Sequence, residues 1–212
     1  MSSTLQAFIK SNEFLDGIKK RRSIYALDKN VKSSKEEIVA TIEEAVKNSP
    51  SAFNSQSARI AILFGAENDK LWGEGGIAEQ AIRKVLPEGQ SFDSTAKKLA
   101  SFNAGVGTIL YFEDMDVVEG LQKNFPLYAD NFPVWSEHST GITQFAVWSA
   151  LANIGIGGSL QHYNPLIDDA VRDTFALPAS WKLRGQMPFG NIAAPAGPKE
   201  FQLIDERVKV IG

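Results

Sequence analysis

Leu5, Phe8, Ile9, Phe14, Leu15 and Ile18 recur at roughly helical spacing, and the turn that follows them is basic, which predicts a first helix over residues 4–23. A second helix is predicted over residues 33–49. Ser34 and Glu37 have capping-box spacing, Ile38, Ile42, Ala45 and Val46 share one face, and Pro50 stops the run. Residues 59–64 then read as a short buried strand and residues 106–114 as a second strand, β-branched and aromatic. Between the strands lie helical pieces over 69–86, interrupted at Gly73 to Gly76, and a further helix over 94–103. Over residues 139–160, Ile142, Phe145, Ala146, Trp148, Ser149 and Ala152 form a pattern apolar nearly all round, which predicts a central helix. A final helix over 165–177, a strand over 181–190 and an extended, alternating tail over 199–212 complete the chain. No linker or repeat breaks this order, so residues 1–212 read as a single domain.

Composition narrows the function. The 212 residues, 43% hydrophobic and 22% charged, can bury a sizeable core. With 22 Lys and Arg against 25 Asp and Glu, net charge -3, no chain-wide positive field would hold nucleic acid or anionic lipid. Any phosphate must therefore be gripped locally. The absence of Cys removes disulfides and thiolate metal sites. The start lacks a signal-peptide pattern, and no apolar run approaches the roughly 20 residues a membrane helix needs. The expectation is a soluble, cytoplasmic protein without membrane contact.

Four stretches carry candidate chemistry. "NSPSAFNSQSARIAILFG", residues 48–65, crowds small polar side chains between a helix and a strand, with Asn54, Gln56 and Ser57 just before the strand. Such a density of amides and hydroxyls suggests that something polar sits against it. "KKRRS", residues 19–23, either complements the negative end of a helix or offers Arg21, Arg22 and Ser23 to a phosphate. In "ERVKV", an extended chain would point Arg207 and Lys209 to one face, either as a solvated edge or as a second basic pair. In "NIGIGGSLQHYNP", residues 153–165, one glycine can end the helix in a left-handed conformation, while Gly157 and Gly158 would let backbone amides approach a ligand. The spacing is neither a dinucleotide fingerprint nor a nucleophile elbow. His138 and His162, the two histidines, are far apart in sequence and lack metal-ligand spacing, so no metal site is expected.

"RRSIYALDK", "SPSAFNSQSARI", "LQHYNP", "PFG" and "ERVKV" occur in an order that resembles the FMN-dependent nitroreductase superfamily across essentially the whole chain. The resemblance is closest to the compact branch named for yeast fatty-acid repression mutant proteins, which has bacterial nitroreductase-like members. It departs from the commoner pattern at Tyr25, where many relatives carry a basic residue, and at Ser57, where a Pro-Trp pair often follows the glutamine.

The resemblance implies an α+β nitroreductase fold: a mixed, mainly antiparallel sheet flanked by helices, in an intertwined homodimer that binds two FMN at the subunit interface. Arg21, Arg22, Ser23, Arg207 and Lys209 would hold the phosphate and ribityl chain, with Tyr25 beside them. Asn54, Gln56 and Ser57 would meet the isoalloxazine edge from the partner subunit, their amides matching alternating N–H and C=O groups. The amides near Gly157 and Gly158 would face flavin N5 and O4, and Leu160 and Gln161 are further cofactor-binding candidates. Phe53, Tyr128, Phe132, Trp135 and His162 are candidates for a substrate wall. The implied activity is ping-pong hydride transfer from NAD(P)H through the flavin to nitroaromatic or quinone-like acceptors, with no obligatory side-chain acid or base. The alternatives are a quinone or flavin reductase, or a flavin-binding regulatory or stress-response protein whose turnover is incidental.

Overall fold

The computed structural model describes residues 13–212. Residues 4–12 of the first predicted helix lie outside them, and the described part, α1, runs Glu13–Lys20. The chain continues through β1 (Leu27–Asp28), α2 (Lys35–Lys47), a 3-10 turn (Ala52–Asn54), β2 (Ala58–Phe64), α3 (Ala66–Trp72), α4 (Ile77–Val85), α5 (Asp93–Asn103), β3 (Gly107–Asp114) and α6 (Met115–Asn124). A second 3-10 turn (Pro126–Tyr128) leads into α7 (Phe132–Asn153), followed by β4 (Ile156–Gly158), α8 (Asp168–Thr174), β5 (Trp181–Ile192) and α9 (Ile204–Arg207). No helix among the described residues is long and apolar enough to cross a membrane.

The long strand β5 organises the sheet. It pairs antiparallel with β1, β3 and β4, and β3 pairs antiparallel with β2. One parallel bridge, Ser23 to Gly158, ties the segment after α1 to β4, so the sheet is mixed but mainly antiparallel. Side chains alternate across β3, which splits the core in two. Leu110 and Phe112 face a cluster with Leu71, Trp72, Phe102 and Val171. Ile109 and Tyr111 face the other side, against Ile38 and Ile42 of α2 and Val147 and Leu151 of α7. The predicted α2 holds in detail: Ser34 Oγ accepts from the Glu37 N–H at 3.1 Å, and Glu37 accepts from the Ser34 N–H at 2.8 Å.

Three expectations need correction. β2 is an edge strand, and only Leu63 along it is fully buried, so it is not the buried strand its apolar run suggests. The central helix begins at Phe132 and ends at Asn153, where Gly155 takes a left-handed φ of 82°, instead of spanning residues 139–160. It is also not enclosed. It buries Ser136, Ser139, Thr140, Thr143 and Gln144, and leaves Ile142 42% and Phe145 37% exposed. The tail is not an alternating strand either. Without a neighbouring strand to share a ladder, Ile204–Arg207 closes a helical turn by local bonding, with the Val208 N–H donating to the Ile204 carbonyl at 2.9 Å.

Candidate active site

The basic segment after α1 is drawn against the glycine strand. The Ile24 N–H donates to the Gly158 carbonyl at 2.9 Å, and Ser23 bridges Gly158. A Cβ on Gly157 would lie 3.0 Å from the Ile24 Cβ and 2.8 Å from Ile192 Cγ1, so this glycine is needed for the two strands to meet. The space a side chain at Gly157 would need is filled by the chain itself. Beside this contact lies a cavity of about 470 Å³, lined by Arg21, Arg22, Ser23, Tyr25, Lys199 and the backbone on either side of Gly197. Three cations line it and no acid does. Arg22 donates to the Gly197 carbonyl at 2.8 Å, and the Arg21 guanidinium lies 4.5 Å from the Trp148 ring centre. Arg21 Nε is buried without a hydrogen-bond partner. Burial first, then the charge of Arg22, lowers the Arg21 pKa below its ordinary value. An anion with several acceptor oxygens would complement the charge of this cavity.

The polar segment forms a tight, strained turn. Phe53, Asn54 and Gln56 have φ values of 56°, 50° and 48°, a region in which non-glycine residues are uncommon. The Gln56 N–H donates to Ser51 Oγ at 2.9 Å, and Arg59 Nη1 donates to the Gln56 carbonyl at 2.6 Å. Arg59 Nη2 in turn donates to Asp114 Oδ2 at 3.0 Å. The Asn54 and Gln56 side chains are left exposed, while Ser57 is buried at the head of β2.

Phe53 ties this turn to the start of α7. Its ring packs on those of Phe125, Tyr128, Phe132 and Trp135 at centroid distances of 5.0 to 6.0 Å, stacked on Trp135 at 18°. A shallow cavity of about 410 Å³ opens beside it, lined by residues 50–53, Trp135, His138, Ser139 and Ile142. The aromatic wall expected from Phe53, Tyr128, Phe132 and Trp135 is thus one continuous cluster. His138 lines its cavity, whereas His162 is exposed on the segment after β4 and lies outside that lining.

Beneath the turn sits a buried acid. Glu113 is fully buried, accepts a short hydrogen bond from the Thr140 hydroxyl, and has no partner at Oε2. Burial raises its pKa above the ordinary carboxylate value. The Ser57 and Thr140 hydroxyls and Arg184 oppose that rise, and Glu137 adds to it. Arg184 occupies the extra position of a bulge in β5 and pairs with Glu137.

Leu160 is half-buried against the α7 side of the core, and Gln161 is buried, its amide donating to Ser159 Oγ at 3.0 Å. Both lie next to the Gly157–Gly158 pair, and one of the two N–H groups of the Gln161 amide is engaged by Ser159. Arg207 and Lys209 are exposed, and among the described residues no hydrogen bond or ion pair joins them to Arg21, Arg22 or Ser23. The sequence alone singled out none of Lys199, Ser51, Arg59 and Glu113, and weighed His138 only as a metal ligand. Only the alternation of Arg59 with Ser57 at a strand start hinted at any of them, since the others depend on contacts between distant segments.

The basic, acid-free cavity suits a phosphate, and, elsewhere on the chain, the aromatic wall and the exposed Asn54 and Gln56 amides suit a flat ring. The model of the nitroreductase family matches residues 18–191, and the chain belongs to that family and is a nitroreductase-family enzyme. It is 36% identical over 190 residues to the Saccharomyces cerevisiae protein HBN1, named as a nitroreductase, covering 89% of this chain and 92% of that one. It is 30% identical over 202 residues to nitroreductase FRM2 of the same yeast, covering 94% and 97%. Nitroreductase CinD from Lactococcus lactis, solved in complex with chloramphenicol, is 50% identical, with a TM-score of 0.86 over 94% of this chain and 100% of that one. Further structures of CinD hold 4-nitrophenol and nicotinic acid.

Proposed function

We propose that this enzyme binds FMN noncovalently and uses it to carry electrons from NAD(P)H to nitroaromatic or quinone-like acceptors, as a homodimer. The observation that carries the reading is the cavity with three cations, no acid and the buried, unpartnered Arg21 Nε. Arg21, Arg22 and Ser23 would hold the phosphate there by charge-assisted hydrogen bonds, joined by Lys199 and by Arg207 and Lys209 of the tail. When bound, FMN supplies a two-electron relay that accepts hydride from a nicotinamide and delivers electrons to an acceptor. The protein binds, orients and shields. The exposed Asn54 and Gln56 amides would meet a ring edge of alternating donors and acceptors, and their dipoles would favour the negative charge that reduction places on it. The cluster around Phe53 would seat a flat aromatic acceptor and keep water from it, in line with the chloramphenicol and 4-nitrophenol held by CinD.

Purified protein is expected to be yellow and to release one FMN per chain on denaturation. It should then oxidise NADH or NADPH only when an acceptor from a nitroaromatic and quinone panel is added. A chain that cannot be reconstituted with FMN, or a holoprotein that turns over no acceptor in the panel, would overturn the reading.

A further inference from the structure

The turn that presents Asn54 and Gln56 is held in a conformation its residues do not favour. A left-handed backbone crowds the Cβ of an ordinary residue against the following carbonyl, and Phe53 and Gln56 both adopt it, with Asn54 between them. Such a turn persists only when its surroundings over-determine it. Around Gln56 the surroundings are specific. Its N–H is taken by Ser51 Oγ, and its carbonyl by Arg59 Nη1. The same guanidinium spans to β3, where its other arm meets Asp114 Oδ2. Asp114 is itself fixed: its N–H donates to the Ser57 carbonyl at 3.0 Å, and its Oδ1 caps α6 through the Asp116 N–H at 3.3 Å. Arg59 therefore links the turn to the end of β3 and the cap of α6.

We infer that Arg59, oriented by Asp114, is a positioning residue that holds Gln56, and through it Asn54, in the left-handed turn that aims their amides at the flavin. The inference rests on the FMN reading above. Two features of guanidinium suit it to this task. Its planar fork serves two acceptors in different directions at once, and its charge is constant near neutral pH. A Lys at this position would reach one partner at a time. Arg59 is engaged by the carbonyl of the turn and by Asp114 and does not line the cavity of Arg21 and Arg22, so its effect should fall on the ring end of the cofactor and spare the phosphate end.

Riboflavin, which has the ring and ribityl chain but no phosphate, separates the two ends. Affinities of the apoprotein for FMN and riboflavin are measured by flavin fluorescence for wild type, Arg59→Gln, Arg59→Lys and Ser51→Ala, together with thermal melts. Arg59→Gln should weaken both flavins by about tenfold, leaving the ratio of the two affinities unchanged, and Arg59→Lys should recover part of the loss. Ser51→Ala, which opens the other side of Gln56 and leaves the ion pair intact, should weaken both in the same sense by a smaller factor. Unchanged affinities in Arg59→Gln overturn the inference, as does a loss confined to FMN, which would put Arg59 at the phosphate. Should Arg59→Gln fail to fold, unchanged affinities in Ser51→Ala overturn it. Wild-type protein that takes up neither flavin would instead refute the FMN reading, a result distinct from variants that bind as wild type does.

Discussion

At the scale of single residues, the two arginines proposed for the phosphate differ in how much the fold prepares them. Arg21 is set in place by Trp148 and by burial, whereas Arg207 sits on an exposed turn. If both grip the phosphate, Arg207→Ala should cost FMN about ten- to a hundredfold in affinity and leave riboflavin nearly untouched, a contrast readable by fluorescence titration. Equal FMN affinities for wild type and Arg207→Ala at moderate salt would remove Arg207 from the site. Glu113 makes a different prediction, on stability. Its folded pKa lies above its unfolded value, chiefly because it is buried, so the folded state holds the proton more tightly. The resulting stabilisation is fully present below the unfolded carboxylate pKa of roughly 4.3, and it is lost as pH rises through the folded value. Glu113→Gln lacks that titration. Urea unfolding from about pH 4 to about pH 8 should show the variant gaining on wild type as pH rises, and a constant difference would show that Glu113 does not titrate in this way.

At the scale of elements, legibility follows the range of the signal. The capping box of α2 and the glycine break between α3 and α4 could be read from the chain because each is decided by residues three or four apart. Ser34→Ala should accordingly cost about 1 kcal/mol, seen as a melting temperature lowered by roughly 2–4 °C. No change on melting would mean the reciprocal bonds of Ser34 and Glu37 add nothing. The start of α7 was hidden because the buried face of its first turns is polar. Ser136 and Ser139 satisfy their hydroxyls on the carbonyls of Pro133 and Trp135 at 2.8 and 2.9 Å, so they pack inward without an apolar signature. The tail misled in the opposite sense, since an alternating pattern makes a strand only where a partner strand is available. For the site, the Arg-Arg-Ser and Asn-x-Gln stretches were legible as motifs. The Arg59–Asp114 link was not, because it exists only through the antiparallel register that sets Arg59 opposite Phe112.

At the scale of the whole molecule, the proposed homodimer would account for the distribution of apolar surface. α7 turns its small hydroxyls toward the sheet and leaves Val134, Ile142 and Phe145 open, and the tail beyond Pro198 exposes Phe201, Leu203, Ile204, Val208, Val210 and Ile211. So many large apolar side chains left open on one helix and one tail are unusual for a monomer. The open face of α7 adjoins the cavity beside Phe53, and Arg207 and Lys209 lie on the exposed tail without a link to Arg21. A homodimer that buries the α7 face would cover the first and bring the second within reach of a phosphate site, so dimerisation and flavin uptake should be coupled. Light scattering on wild-type protein should give twice the chain mass. Phe145→Glu, which places a charge on the open face and disturbs nothing in either core cluster, should shift the protein toward monomer. It should also release FMN in proportion, while far-ultraviolet circular dichroism stays native. Because association is a mass-action equilibrium, raising the protein concentration should restore both mass and flavin together. A Phe145→Glu monomer that keeps full FMN occupancy would show that one chain suffices for the site, and a wild-type monomer would refute the dimer outright.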